Sequence, residues 1–169
     1  MTTSEAWQND PDSAFREAQE RLRKLSDANA ILDLSDLETL ERFPDSELEI
    51  EKLSYAKEIR VCGTQISDIS ALSNCAKLEK LSIKFTPVRD LKPIEGLSLL
   101  HSLDLRHTKV RDLRPLLSLP RFFKGQAEAL SMSDSEAVIV GDYKDLFQIS
   151  HLTPKRAAIE TIQYLKGTH

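Results

Sequence analysis

Between Ala56 and Arg121 apolar and polar positions recur with a period of 22 residues. In register, the three copies read AKEIRVCGTQISDISALSNCAK from Ala56, LEKLSIKFTPVRDLKPIEGLSL from Leu78 and LHSLDLRHTKVRDLRPLLSLPR from Leu100. Eight columns agree, beyond what chance produces: Ile59/Leu81/Leu103, Val61/Ile83/Leu105, Thr64/Thr86/Thr108, Ile66/Val88/Val110, Asp68/Asp90/Asp112, Ile69/Leu91/Leu113, Leu72/Ile94/Leu116 and Cys75/Leu97/Leu119. The first two columns alternate with polar residues, the periodicity of a strand with one face buried. Three strands are therefore predicted, with Ile59 and Val61, Leu81 and Ile83, and Leu103 and Leu105 turned into a core. Glu58, Arg60 and Cys62, Lys80, Ser82 and Lys84, and Ser102, Asp104 and Arg106 fall on the opposite, open face.

The flanks carry different patterns. Asp10-Pro11-Asp12 places a capping residue, a proline and a carboxylate at a helix start, and Phe15, Ala18, Leu22 and Leu25 form an apolar stripe behind it, so residues 10–26 are predicted as a capping helix. Trp7 reads as an anchor on that cap or as part of a loose tail, the former being favoured. Residues 30–55 read as a divergent first repeat, with Leu32 and Leu34 inward. Leu32 to Ile59 spans five residues more than the period, and the excess is expected in a helix after Pro44 that buries Leu48, Tyr55 and, with them, Ile50 and Leu53. Beyond Pro120 a count of 22 puts Gly125 and Ala127 where Leu103 and Leu105 stood. A further strand there is expected to pack little, with Phe122 and Phe123 covering the end and Ala137–Val140 as a short strand or plug. Thr153-Pro154 opens a last helix with Ala158, Ile162 and Leu165 on one face, ending at Gly167, so 122–169 read as the closing cap of a single domain over 1–169.

A period of 20 to 29 residues with L-x-x-L-x-L spacing is the signature of a leucine-rich repeat solenoid, an α/β architecture whose regular part here is residues 56–121. The Thr64/Thr86/Thr108 column is expected to tie off the turn after each strand through its hydroxyls. The Asp68/Asp90/Asp112 column would stack carboxylates about 5 Å apart, a repulsion of roughly 0.8 kcal/mol even in water, and capping of the following turn is the expected compensation. The flanking Arg89 and Arg111 speak against a calcium ladder.

Length and 40% apolar content suit one ordinary core. The net charge of −4 is unevenly spread: −8 over residues 1–55, +4 over 56–120 and zero over 121–169. No apolar leader and no stretch long enough for a membrane span is visible, so a soluble, cytoplasmic protein is expected, with no membrane partner. Cys75 falls in a core column and Cys62 on a strand, too far apart for a disulfide, and no cofactor or metal motif accompanies them. An acidic chain with few aromatics on its open face is not expected to bind nucleic acid.

TQISDISAL, TPVRDLKPI and TKVRDLRPL resemble the T-x-[IV]-x-D-[IL]-x-P-L unit of internalin-type bacterial leucine-rich repeats, with Ala71 and Ile94 departing from the final P-L pair. The flanking helices and the ILDLS strand are similar to the repeat domains of bacterial signalling proteins. The resemblance implies a right-handed, curved solenoid with a parallel concave sheet, helical N- and C-terminal caps and proteins bound on the sheet. The expected function is thus a non-catalytic interaction module, an adaptor or regulator, with Arg60, Lys80, Ser82, Lys84, Asp104 and Arg106 as contact residues and an acidic partner. One alternative is an effector or immunity protein that blocks a partner through the same surface. Another, a small hydrolase built on His101, His107, Asp104 and Cys62, requires side chains that strand alternation sends to different sides.

Overall fold

The computed structural model describes residues 10–124, 126–133, 135 and 154–167; Trp7 and Ala137–Val140 lie outside them. Among the described residues five short strands, β1 (Ile31–Asp33), β2 (Glu58–Arg60), β3 (Lys80–Ser82), β4 (Ser102–Asp104) and β5 (Ala129–Ser131), form one parallel sheet in chain order. Their registers align Leu32, Ile59, Leu81, Leu103 and Leu130, every one of them buried. A second buried column, two residues on, is Leu34, Val61, Ile83, Leu105 and Met132. The sheet is covered on one side, and the chain is a leucine-rich repeat solenoid.

On the covered side the coils after β2, β3 and β4 return through 3₁₀ segments, Ser70–Asn74, Lys92–Ile94 and Arg114–Ser118, which bury Leu72, Ile94 and Leu116. The aspartate column starts these segments. Asp68, Asp90 and Asp112 each accept from the backbone N–H two residues on, at 2.8, 2.8 and 2.9 Å. That bond satisfies a donor which the start of a helical turn leaves orphaned. The threonine column ties off the strands: the buried hydroxyls of Thr64, Thr86 and Thr108 donate to the carbonyls of Val61, Ile83 and Leu105 at 2.9, 2.6 and 2.7 Å. Cys75 is buried, and burial pushes its thiol up to about 12; Cys62 is also free.

The fifth strand corrects the reading of the C-terminal flank. Leu130 and Met132, not Gly125 and Ala127, continue the inward columns. Leu103 and Leu130 are 27 residues apart, the same spacing as Leu32 and Ile59, so 22-residue coils lie between two longer ones. Each long coil holds α-helix in its return, α2 (Glu47–Leu53) in the first and α3 (Pro120–Phe123) in the last. In the last coil the return does not end with the 3₁₀ segment Arg114–Ser118 but continues into α3, which lengthens it.

A second correction concerns α2. Leu48 is 55% exposed, and Glu49 is buried in its place. Ser46 and Glu49 form a reciprocal capping box, Glu49 N–H to Ser46 Oγ at 3.4 Å and Ser46 N–H to Glu49 Oε2 at 3.0 Å, while Gln19 donates to Glu49 Oε1 at 2.6 Å. Burial opposes ionisation of Glu49, but the bonds from Ser46 and Gln19 outweigh it and hold the carboxyl below its ordinary pKa. Capping thus fixed the helix face, turning Leu48 out and Leu53 in.

Helix α1 (Pro11–Arg23) starts as the sequence predicts, with the Asp10 carboxylate accepting from the Ser13 N–H at 3.0 Å. It buries Ala14, Ala18 and Leu22, while Phe15 is only partly covered beneath the Arg42 guanidinium, 4.3 Å from its ring centre. Arg21 pins the helix to the first coil: it donates to the Asp33 carbonyl at 2.9 Å and grips both oxygens of Asp36 at 2.5 and 2.7 Å. At the other end α4 (Pro154–Gly167) packs on β5 with Ala158, Ile162 and Leu165 buried.

Candidate functional site

Strand alternation leaves the middle of the open face to residues of β2, β3 and β4. A shallow depression of about 190 Å³ lies there, bordered by Glu58, Arg60, Lys80, Ser82, Ser102 and Asp104 and floored by Ile59 and Leu81. Four of the six expected contact residues, Arg60, Lys80, Ser82 and Asp104, line it. Lys84 and Arg106 follow two residues beyond the paired positions Ser82 and Asp104.

The charges are less free than the sequence implied. Arg60 is held by Glu58 at 2.6 Å and by Asp33 of the neighbouring strand at 3.3 Å, which raise its pKa. Arg106 grips Asp104 through two bonds of 3.0 and 2.8 Å, and its pKa is raised by that carboxylate. Lys80 and Lys84 make no ion pair among the described residues. The positive charge available to a partner is therefore centred on β3. Beside it, Cys62 Sγ lies 3.1 Å from Ser82 Oγ.

One feature was missed. Gly63, Phe85 and His107 occupy the same position in successive coils, and all three have left-handed backbones, with φ of 77°, 58° and 55°. Their N–H groups carry the ladder past the strands, to the carbonyls of Lys84, Arg106 and Ser133 at 3.0, 2.9 and 3.2 Å. This conformation costs roughly 1–2 kcal/mol for a residue with a Cβ, and a phenylalanine there is an outlier. Phe85 and His107 stack, ring centres 4.2 Å apart and planes within 10°, yet Phe85 remains 53% exposed. The glycine in the first copy signalled the backbone demand on the whole column. Gly63→Ala is expected to cost about 1 kcal/mol, a fall of roughly 3 °C in melting midpoint. A Cβ at Gly63 meets nothing within 4 Å, so an unchanged midpoint would leave no strain in this column.

The residues weighed for hydrolysis do not converge. His101 is buried between coils, with Nδ1 3.2 Å from Glu128 Oε2 without hydrogen-bonding geometry and Nε2 3.9 Å from Glu79 Oε2. His107 stacks on Phe85, Asp104 holds Arg106, and Cys62 contacts Ser82. Among the described residues no group of three or more His, Cys, Asp or Glu side chains is placed to hold a metal ion, and no helix is long and apolar enough to cross a membrane.

No protein-family model and no curated protein matches the chain. Among solved structures it is similar to internalin C2 of Listeria monocytogenes, at 18% identity and a TM-score of 0.49, over 79% of this chain and 69% of that one. It is likewise similar to internalin F of the same organism, at 21% identity and a TM-score of 0.49, over 78% of this chain and 45% of that one. Likenesses at this level concern the fold alone. The repeat columns and the five-stranded register establish by themselves that the fold is a leucine-rich repeat solenoid with 22-residue coils at its centre.

Proposed function

We propose that the chain is a non-catalytic protein-binding module, forming one domain, that engages an acidic partner on the open face of its sheet as an adaptor or regulator. The observation that carries this reading is the face itself: a depression between β2 and β4 bordered by polar side chains, with Lys80 and Lys84 unpaired among the described residues beside it. A covered parallel sheet holds such a surface rigidly, so little ordering is needed on binding. Arg60, Asp104 and Arg106, already fixed by ion pairs, would shape the contact, while the two lysines supply its charge.

Affinity capture from a lysate of the source cells, with Lys80→Glu/Lys84→Glu beside the parent, tests this. The double variant should keep its melting midpoint, since isolated surface substitutions stay within about 0.5 kcal/mol. It should lose a captured protein by about tenfold or more, and salt should weaken the parent complex. Equal capture at high and low salt would remove the open face from binding. Arg106→Glu is the poorer probe, because it sets a second carboxylate against Asp104.

A further inference from the structure

We propose that the rim beside the open face, built on the Phe85–His107 stack, is a separate anchor for an acidic protein segment that presents an aromatic or proline side chain between carboxylates. This rests on the protein-binding reading above and deepens it by naming a second surface and the chemistry it accepts.

Three observations converge. The turn after each strand needs a left-handed residue, and Gly63 meets that need with no side chain, so the turn itself does not call for the ring of Phe85. Bulky residues kept in a strained conformation point to a role that over-rides the strain. Next, the two rings stack face to face and leave Phe85 53% exposed beside an open cleft of about 320 Å³ that Gln65, Pro87 and Lys109 also line. Such a surface takes a flat side chain by stacking, and exposed aromatics of this kind are common anchors of interfaces.

Charge then selects the partner. Residues 84–89 and 106–111 contain Lys84, Arg89, Arg106, Lys109 and Arg111, followed directly by Asp90 and Asp112, and of these cations Lys109 lines the cleft. The corresponding residues 62–67 of the first copy, where glycine stands in the ring position, contain no charge at all. Cations and aromatic rings thus occur together in the two copies that have them and are absent together from the one that does not. Arg106 is held by Asp104, whereas Lys109 makes no ion pair among the described residues. A protein segment fits better than a nucleic acid, because a single stack offers no platform for successive bases and the chain carries −4 overall.

The test selects random twelve-residue peptides displayed against the immobilised full chain and measures the winners by fluorescence anisotropy on the parent, Phe85→Asn/His107→Asn, Lys109→Glu and Lys80→Glu. Asparagine tolerates the left-handed region, so the rim variant should melt within a few degrees of the parent's midpoint. The expected winners carry two or more carboxylates around an aromatic residue or proline, bind the rim variant at least tenfold more weakly and Lys109→Glu several-fold more weakly, and bind Lys80→Glu like the parent. Winners that bind the rim variant as well as the parent, winners without carboxylates, or a rim variant that melts well below the parent would each overturn the assignment. A fluorescent twenty-residue oligothymidine that binds the parent and is lost by the rim variant would overturn it in favour of nucleic acid. Peptides lost by Lys80→Glu alone would sink the rim and leave the open face; no peptide binder at all would sink both.

Discussion

Leu81→Asp should abolish the cooperative melt. Leu81 is 2% exposed in the central strand, with Ile59 and Leu103 directly beside it in register. Two losses add. Removing the leucyl side chain from a packed core costs about 2–5 kcal/mol, and a carboxylate left there without a partner costs several kcal/mol more or must take up a proton. Their sum reaches the 5–15 kcal/mol by which a typical domain is stable. Since each coil of a solenoid is held chiefly by its neighbours, loss of the middle coil separates β1–β2 from β4–β5. Circular dichroism should show a weak, non-cooperative transition, whereas Leu81→Met, which conserves volume, should stay within about 1.5 kcal/mol of the parent. If Leu81→Asp melts within a few degrees of the parent, Leu81 does not face a dry core.

That confidence comes from the sequence, because the repeat expresses the inward columns three times over. A period of 22 fixes the register of β2, β3 and β4, since a slip of one residue would turn every leucine to the open face. The ends were harder to read for one physical reason. The first and last coils, whose returns carry α-helix, are five residues longer than the 22-residue coils, so counting forward by 22 missed β5, although its Leu130-Ser131-Met132 alternates like Leu103-Asp104-Leu105. Having the 27-residue first coil in view would have found it. At the candidate site, sequence placed the outward residues but not their pairing. Glu58 and Arg60, like Asp104 and Arg106, are two apart and therefore share a face, so their ion pairs were available to the same rule that placed them there. The Phe85–His107 stack was hidden differently: alternation says nothing about the residue that leaves the strand, and only the glycine in its column revealed the backbone demand.

The second large effect concerns the closing end, where two adjacent phenylalanines were expected to act alike. They do not. Phe122 is fully buried in α3, which packs on the Arg114–Ser118 segment and on α4. Phe123 is 48% exposed, with the Lys166 ammonium 4.0 Å over its ring and donating to its carbonyl at 2.8 Å. Phe122→Ala should therefore cost about 3–5 kcal/mol, or roughly 10 °C in midpoint, whereas Phe123→Ala should cost about 1 kcal/mol or less, mostly the cation–π contact. The location of the damage is as informative as its size. Coupling in a solenoid runs between neighbours, so amide exchange in Phe122→Ala should accelerate first in β5 and α4 and last in β2 and β3. Equal acceleration along all five strands would mean that the coils open as one unit, and that the end holds the middle closed. A midpoint within about 2 °C of the parent would instead show that Phe122 does not seal the end, leaving Leu130 and Met132 to close the core with α4 alone.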